Sequence, residues 1–291
     1  MIIIAESGAT KTDWRSVSSD GTVYSMRSAG MNVATAGQDF IEDVLREAIP
    51  MLNPSGETVE RIHFYAAGLI QSSEDTPVPA AVARLHDELM QAFPGASAEY
   101  ASDMLDAARA VCGRSPGIAV ILGTGSNSCE YDGERIVKNV KSGGFILGDE
   151  GGAASLGRQF VSDFLKGLVP EPVATEFAAA YDVDYSTVVK NVYRGPAPAC
   201  YLGSFAPFIT AMYDSCSYVK NLVDNNFRAL FDRCIMQYDT GRLKTGVVGG
   251  YGYAHRSILR RIAAEYGIEI SGIQASPIDG LVKYHIEEYE N

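Results

Sequence analysis

Two glycine-containing turns carry the residue types that handle phosphate. The first, Glu6-Ser7-Gly8-Ala9-Thr10-Lys11-Thr12, follows the apolar run Ile2-Ile3-Ile4. The second, Gly123-Thr124-Gly125-Ser126-Asn127, follows the apolar run Gly117–Leu122. A buried strand that runs into a small-residue turn presents backbone N–H groups and hydroxyls to an anion. Gly8 permits close approach, and Thr10, Lys11 and Thr12 supply hydroxyls and an ammonium for phosphate oxygens. Glu6, at the strand end, is placed to hold a metal-bound water. Each turn alone reads as an ordinary hairpin, and the pair favours phosphate.

Three further groups could do chemistry. Asp103 stands where Ser97–Ser102 passes from strand to helix, and in α/β sheets the carboxyl ends of strands line the ligand crevice. A carboxylate there can accept the proton of a hydroxyl that attacks a γ-phosphate. By position alone Asp103 reads rather as a helix N-cap, and Asp106 competes for either role. Gly148-Asp149-Glu150-Gly151 places two carboxylates in a glycine loop, suited to binding a hydroxyl or a metal-bound water, or to a solvated turn and cap. Gly249-Gly250 follows a strand and precedes a helix. It can admit a planar ring or a phosphate against the backbone, or be a plain βα turn.

Other chemistries find little support. There is no GxxxxGK[ST], no GxGxxG after a strand, no HExxH and no GxSxG. The four histidines, His63, His86, His255 and His285, are scattered and read as structural or solvated. The five cysteines are odd in number and lack CxxC spacing, which points to reduced thiols in a cytoplasmic protein. A net charge of −12 argues against nucleic acid and anionic membranes as partners. No basic leader precedes the first strand, and no apolar run reaches the ~18 residues of a membrane span.

The elements that must position these groups follow from periodicity. Three short strands open the chain. A helix is expected over 40–49, ended by Pro50, then a strand over 62–67 and an amphipathic helix over 80–93. Ser97–Ser102 is a strand and 105–111 a helix, giving the order β-β-β-α-β-α-β-α. The same grammar restarts with Gly117–Leu122 and a hairpin through Asp132-Gly133. Helices dominate from 170 to 240, followed by strands over 246–248 and 268–270, a helix over 258–266 and a terminal helix Ile278–Tyr289. Two α/β domains facing each other across a cleft are expected, over 1–112 and 113–276. The second carries the helical insertion 170–240, and the terminal helix, 277–291, packs back on the first.

These motifs together resemble the N-acetylglucosamine kinase branch of the BadF/BadG/BcrA/BcrD ATPase-like family, within the actin, Hsp70 and sugar-kinase superfamily. The resemblance spans essentially the whole chain. The turn after Glu6 is similar to that family's first phosphate motif, Gly123 to Asn127 to its second, and Gly148-Asp-Glu-Gly to its GDEGS segment. Gly249-Gly250 sits where its adenosine motif belongs, and residues 276–285 resemble a C-terminal segment of some bacterial members. The resemblance implies two RNase-H-like domains around an interdomain cleft, with ATP and Mg2+ as cofactors and an amino sugar as substrate. It implies Asp103 as catalytic base, and Asn32, Thr124, Asn127 and Asp149 as sugar contacts. Gly8, Thr10, Lys11, Thr12, Gly123, Thr124, Gly125, Gly249 and Gly250 would face the nucleotide, and Glu6 the metal.

The chain departs from the family pattern at several points. Glu6 replaces Asp, Gly143-Gly144-Phe145 lacks a tryptophan, and Gly152 replaces Ser. Asp106 replaces Gly, and the adenosine segment reads Gly-Gly-Tyr-Gly. The expected reaction is phosphorylation of N-acetylglucosamine on its 6-hydroxyl. The rivals are a non-catalytic sugar or nucleotide sensor and an ATPase that activates a dehydratase. The sequence leaves the oligomeric state open, with a homodimer one option.

Overall fold

The computed structural model describes residues 1–8, 11–31, 33, 37–69 and 82–289. The chain forms two compact units, Met1–Ser115 with Gly133–Arg135 and Ser276–Asn291, and Pro116–Asp132 with Ile136–Ala275.

In the first unit, strands β1 (Ile2–Ser7), β2 (Lys11–Val17) and β3 (Val23–Ala29) precede helix α1 (Gln38–Leu52). Then come β4 (Arg61–Ala66), α2 (Ala83–Ala92), β5 (Ser97–Ser102) and α3 (Asp103–Cys112). The sheet order is β3-β2-β1-β4-β5. β1 is central, antiparallel to β2 and parallel to β4. A strand covered on both faces needs a continuous apolar run, and residues 2–5 supply it, all buried. The register sets Glu6 opposite Asp13 and Ser7 opposite Thr12. Trp14 is fully buried and donates from Nε1 to Ser28 Oγ at 3.0 Å.

The second unit repeats the plan. It contains β6 (Gly117–Leu122), β7 (Ser126–Tyr131), β8 (Ile136–Val140), β9 (Lys244–Val248) and β10 (Ile270–Gln274), in the order β10-β9-β6-β7-β8. Again the first strand of the unit is central, with an antiparallel hairpin on one side and parallel strands on the other. Its helices are α4 (Gly144–Leu147), α5 (Ala153–Leu165), α6 (Glu171–Ala180), α7 (Tyr185–Tyr193), α8 (Pro198–Gly203), α9 (Ala206–Ala211), α10 (Ser217–Arg233), α11 (Gly250–Ala254) and α12 (Arg256–Glu265). An aromatic nucleus holds the helical portion together. Phe177 meets Phe160 at 4.9 Å and Phe205 at 5.3 Å, in the edge-to-face geometry that aromatic quadrupoles favour.

The last helix, α13 (Ile278–Tyr289), packs on α3, β1 and β2 of the first unit. It buries Ile278, Leu281 and Tyr284. His285 Nε2 meets the Tyr65 hydroxyl at 2.8 Å, and its ring stacks on His63 at 3.7 Å. Two of the histidines read as scattered are therefore partners across β4 and α13. Glu99 takes His63 Nδ1 at 2.9 Å and Arg109 at 2.9 Å, closing a partly buried polar network.

Some boundaries differ from expectation. Pro50 sits inside the last turn of α1, two residues before its end, because a helix tolerates one missing bond where only a final turn follows. β10 begins at Ile270, where expectation had a strand ending, and the short α4 was not foreseen. Among the described residues no helix is long and apolar enough to cross a membrane.

Candidate active site

The first unit gathers carboxylates. The cap of α3 is Ser102, whose Oγ accepts from Leu105 N at 3.2 Å. Asp103 is thus the first helical residue and not the cap, which removes the plain structural reason for its presence. Burial raises its carboxyl above the ordinary value, opposed by the N–H groups of Met104 and of Asp103 itself. One turn along α3, Asp106 is only 2% exposed and its Oδ1 has no partner among the described residues. Burial, then the charges of Glu6 and Asp103, push Asp106 well above the usual carboxylate range. Glu6 is pushed up to about 7, chiefly by burial, with Asp13 and Asp103 adding to it and Lys11 and Arg27 opposing. Glu6, Asp103 and Asp106 therefore form one electrostatically linked group, as like charges in a poorly hydrated site must.

The other residues of the first turn have structural partners. The Thr12 hydroxyl lies 2.7 Å from Ser7 Oγ and donates to the Ala29 carbonyl at 3.0 Å, and Thr12 is fully buried. It braces the turn where a phosphate contact was expected. Gly8 N–H closes the hairpin on the Lys11 carbonyl at 3.0 Å. The Lys11 ammonium pairs with Asp13, which Arg27 also grips at 2.8 Å. Burial alone would raise Asp13, but the hydrogen bonds from Lys11 and Arg27 outweigh it and hold the carboxyl low. Thr10 and Asn32 lie outside the described residues.

In the second unit the turn and the acidic loop interlock. The Gly123 and Thr124 carbonyls accept from Ala153 N at 3.0 Å and Ala154 N at 2.8 Å, which docks the turn on the start of α5. The N–H groups of Thr124 and Gly125 have no partner among the described residues and remain free for an oxyanion. The Asp149 carboxylate accepts weakly from Ser126 N at 3.4 Å, and burial raises its pKa. Among the described residues Asp149 is the one non-glycine with positive φ, at 56°. Such backbone strain persists where the surroundings over-determine it, commonly at functional sites. A side chain at 125 would place its Cβ 2.7 Å from Asp149 Oδ2. One at 152 would come within 2.9 Å of the Thr124 carbonyl oxygen, so Gly152 lets the two loops touch.

Asn127 is half-committed. Its Oδ1 accepts from Ser128 N and from Asn139 Nδ2, both at 2.9 Å, tying it to β7 and β8. Gly249, at φ 129°, has no room for a Cβ, which would meet the Leu122 carbonyl oxygen at 2.2 Å. It packs the β9–α11 turn against β6. Gly250, beside it, lines a pocket of about 680 Å³ together with Gly123, Thr124, Ala206 and Pro207. The structure thus brings the second glycine turn and Gly250 to one cavity. Asp13, Arg27 and the cavity wall contributed by α9 escaped the sequence reading. The Lys11-x-Asp13 alternation on one strand face was the available signal for the first.

No protein-family model matches the chain, and no curated protein matches it. Solved structures do. A candidate N-acetylglucosamine kinase from Porphyromonas gingivalis is 36% identical, covers 99% of this chain and 100% of its own, and superposes with a TM-score of 0.88. A second such candidate, from Chromobacterium violaceum, is 19% identical over 97% of this chain and 98% of its own, with a TM-score of 0.73. A candidate N-acetylmannosamine kinase from Listeria monocytogenes shares the fold at 15% identity, covering 100% of this chain and 99% of its own, with a TM-score of 0.51. The two five-stranded sheets thus define an α/β protein of the sugar-kinase and actin-like ATPase class. Within that class, the chain belongs to the family of the Porphyromonas gingivalis protein.

Proposed function

We propose that the protein transfers the γ-phosphoryl group of ATP to an amino sugar in the cytoplasm, as a member of the N-acetylglucosamine kinase branch of the BadF/BadG/BcrA/BcrD family. The proposed acceptor is the 6-hydroxyl of N-acetylglucosamine. The name carried by the 36% identical Porphyromonas gingivalis protein supports that acceptor class. The observation that carries the kinase reading is Asp103. It is a half-buried carboxyl directly after β5, relieved of capping by Ser102 and raised in pKa. A base of that kind can take a hydroxyl proton and remain in place to release it.

In this reading the named residues take separate parts. Asp103 accepts the proton of the attacking hydroxyl. Asp149, held in its strained conformation, fixes another sugar hydroxyl. The free N–H groups of Thr124 and Gly125, with the Thr124 hydroxyl, hold phosphate oxygens. The cavity between the turn and Gly250 has the ~300–1,000 Å³ typical of small-molecule sites and takes the nucleoside. The donor set of the first unit fits hydrated Mg2+, which is bound through one or two carboxylates plus waters and phosphates. Glu6 would hold it, and the unpartnered Oδ1 of Asp106 lies in the same linked group. Mg2+ supplies charge neutralisation on the phosphates.

A coupled ADP-release assay across N-acetylglucosamine, glucosamine, N-acetylmannosamine and glucose tests the reading. Sugar-dependent ADP release, with N-acetylglucosamine preferred, is the expected result. Sugar binding by calorimetry without ADP release would make the protein a sensor instead.

A further inference from the structure

We propose that His255 reads the base of the nucleotide and makes this site selective for purines. The inference rests on the reading of the 680 Å³ cavity as the nucleotide site. Alanine, proline and glycine walls hold a flat ring by contact but cannot tell one base from another. Discrimination needs a polar group that would be left unpaired by the wrong base.

Among the side chains lining the cavity, Thr124, Thr210, Tyr251 and His255 carry polar atoms. The Thr210 hydroxyl donates to the Ala206 carbonyl at 2.9 Å, so its proton is committed. The Tyr251 hydroxyl is buried, and its ring stacks on Phe227 at 5.7 Å as part of the core. Thr124 belongs to the phosphate turn. That leaves His255, half-buried at the end of α11, whose ring nitrogens have no protein partner among the described residues.

The ring is nevertheless held. It meets the Tyr251 ring edge-on at 4.7 Å, and its backbone N–H donates to the Tyr251 carbonyl at 3.1 Å. Among the described residues no charged side chain lines the cavity. The neighbouring Arg256 is turned onto the Tyr253 ring, 4.8 Å from its centre, and donates to the Tyr253 carbonyl. Burial lowers the imidazole pKa, so at neutral pH the ring keeps one donor and one acceptor. A purine edge offers both complements. In this proposal a two-ring base anchored on the phosphate turn brings its edge to His255, and a single-ring base on the same anchor falls short.

Calorimetric titration of ADP and UDP into the wild type, His255→Phe and His255→Gln tests this. The wild type should prefer ADP. His255→Phe keeps the ring volume and should weaken ADP by about three- to ten-fold, the worth of one hydrogen bond, with UDP unchanged. His255→Gln restores a donor and an acceptor and should recover most of the ADP affinity. It also carries the test if His255→Phe fails to fold. An ADP-to-UDP ratio unchanged in both variants, or equal affinities in the wild type, overturns the role of His255 and leaves the nucleotide site standing. A wild type that binds neither nucleotide removes the site and the proposal together.

Discussion

The Asp149 carboxylate occupies the space that a side chain at Gly125 would need, its Oδ2 lying 2.7 Å from where that Cβ would be. The loop and the turn are therefore set by each other. Gly125→Ala should displace the carboxylate with little effect on the core. We expect kcat/KM for sugar phosphorylation to fall ~100-fold, as for a misplacement of about 1 Å, with a nearly unchanged Tm. Steady-state kinetics with a thermal melt decides it, and an unaltered kcat/KM would show that Asp149 has no part in substrate positioning.

Ser102 and Asp103 separate stability from catalysis on adjacent residues. Ser102→Ala removes the cap of α3 and should cost about 1 kcal/mol in urea unfolding while activity persists. Asp103→Asn should leave the fold intact and reduce turnover by roughly 10²–10⁴-fold, the usual worth of a general base. Near-normal turnover in Asp103→Asn would remove it as the base.

The carboxylate group also predicts a pH dependence. Glu6 is raised from 4.5 to about 7 in the folded chain, so the folded state binds the extra proton. Its contribution is unfavourable once charged, and stability falls as pH rises from the unfolded value through the folded one. Glu6→Gln should gain stability over the wild type between pH 5 and pH 8, by on the order of 1–3 kcal/mol. Urea titrations at both pH values measure the difference, and a gap that stays constant with pH contradicts the raised value.

Glu99 works with the opposite sign. Its burial is outweighed by the hydrogen bond to His63 and the charge of Arg109, which hold it at about 2. It stabilises the first unit above the unfolded value near 4.5, and that contribution is lost as pH falls toward 2. Glu99→Gln leaves Arg109 without its ionised partner and should cost about 2–4 kcal/mol at pH 7, measured by urea unfolding. A smaller loss at pH 3 than at pH 7 is part of the expectation, and equal losses would speak against the ionised pair.

Much of this architecture could be read from residue order. The β-branched run before Gly8 and the similar run before Gly123 announce two central strands, because only strands buried on both faces need such continuity. The strand Ser97–Ser102 and the helix Ile278–Tyr289 stand at the limits their patterns indicated. Side-chain commitments were less legible. Nothing local says that the Thr12 hydroxyl is taken by Ser7 and Ala29, since Ala29 lies across the β2–β3 pairing. His63 and His285 are far apart in sequence, so their stacking is a product of tertiary packing. Asp103 reads as the cap by position, but the backbone turns helical one residue earlier and leaves Ser102 as the cap, a one-residue shift that composition does not encode.

The docking of α13 bears on how the protein is made. Synthesis delivers β1 to α3 first, and the whole second unit follows before residues 278–289 exist. Until then Tyr65 lacks its histidine, and the surface of α3 that α13 covers stays open. The unit whose strands are translated earliest is thus completed after its neighbour. A nascent chain must carry that unsealed apolar surface through the synthesis of the second unit, and this interval is when it is most open to chaperones and to mispairing.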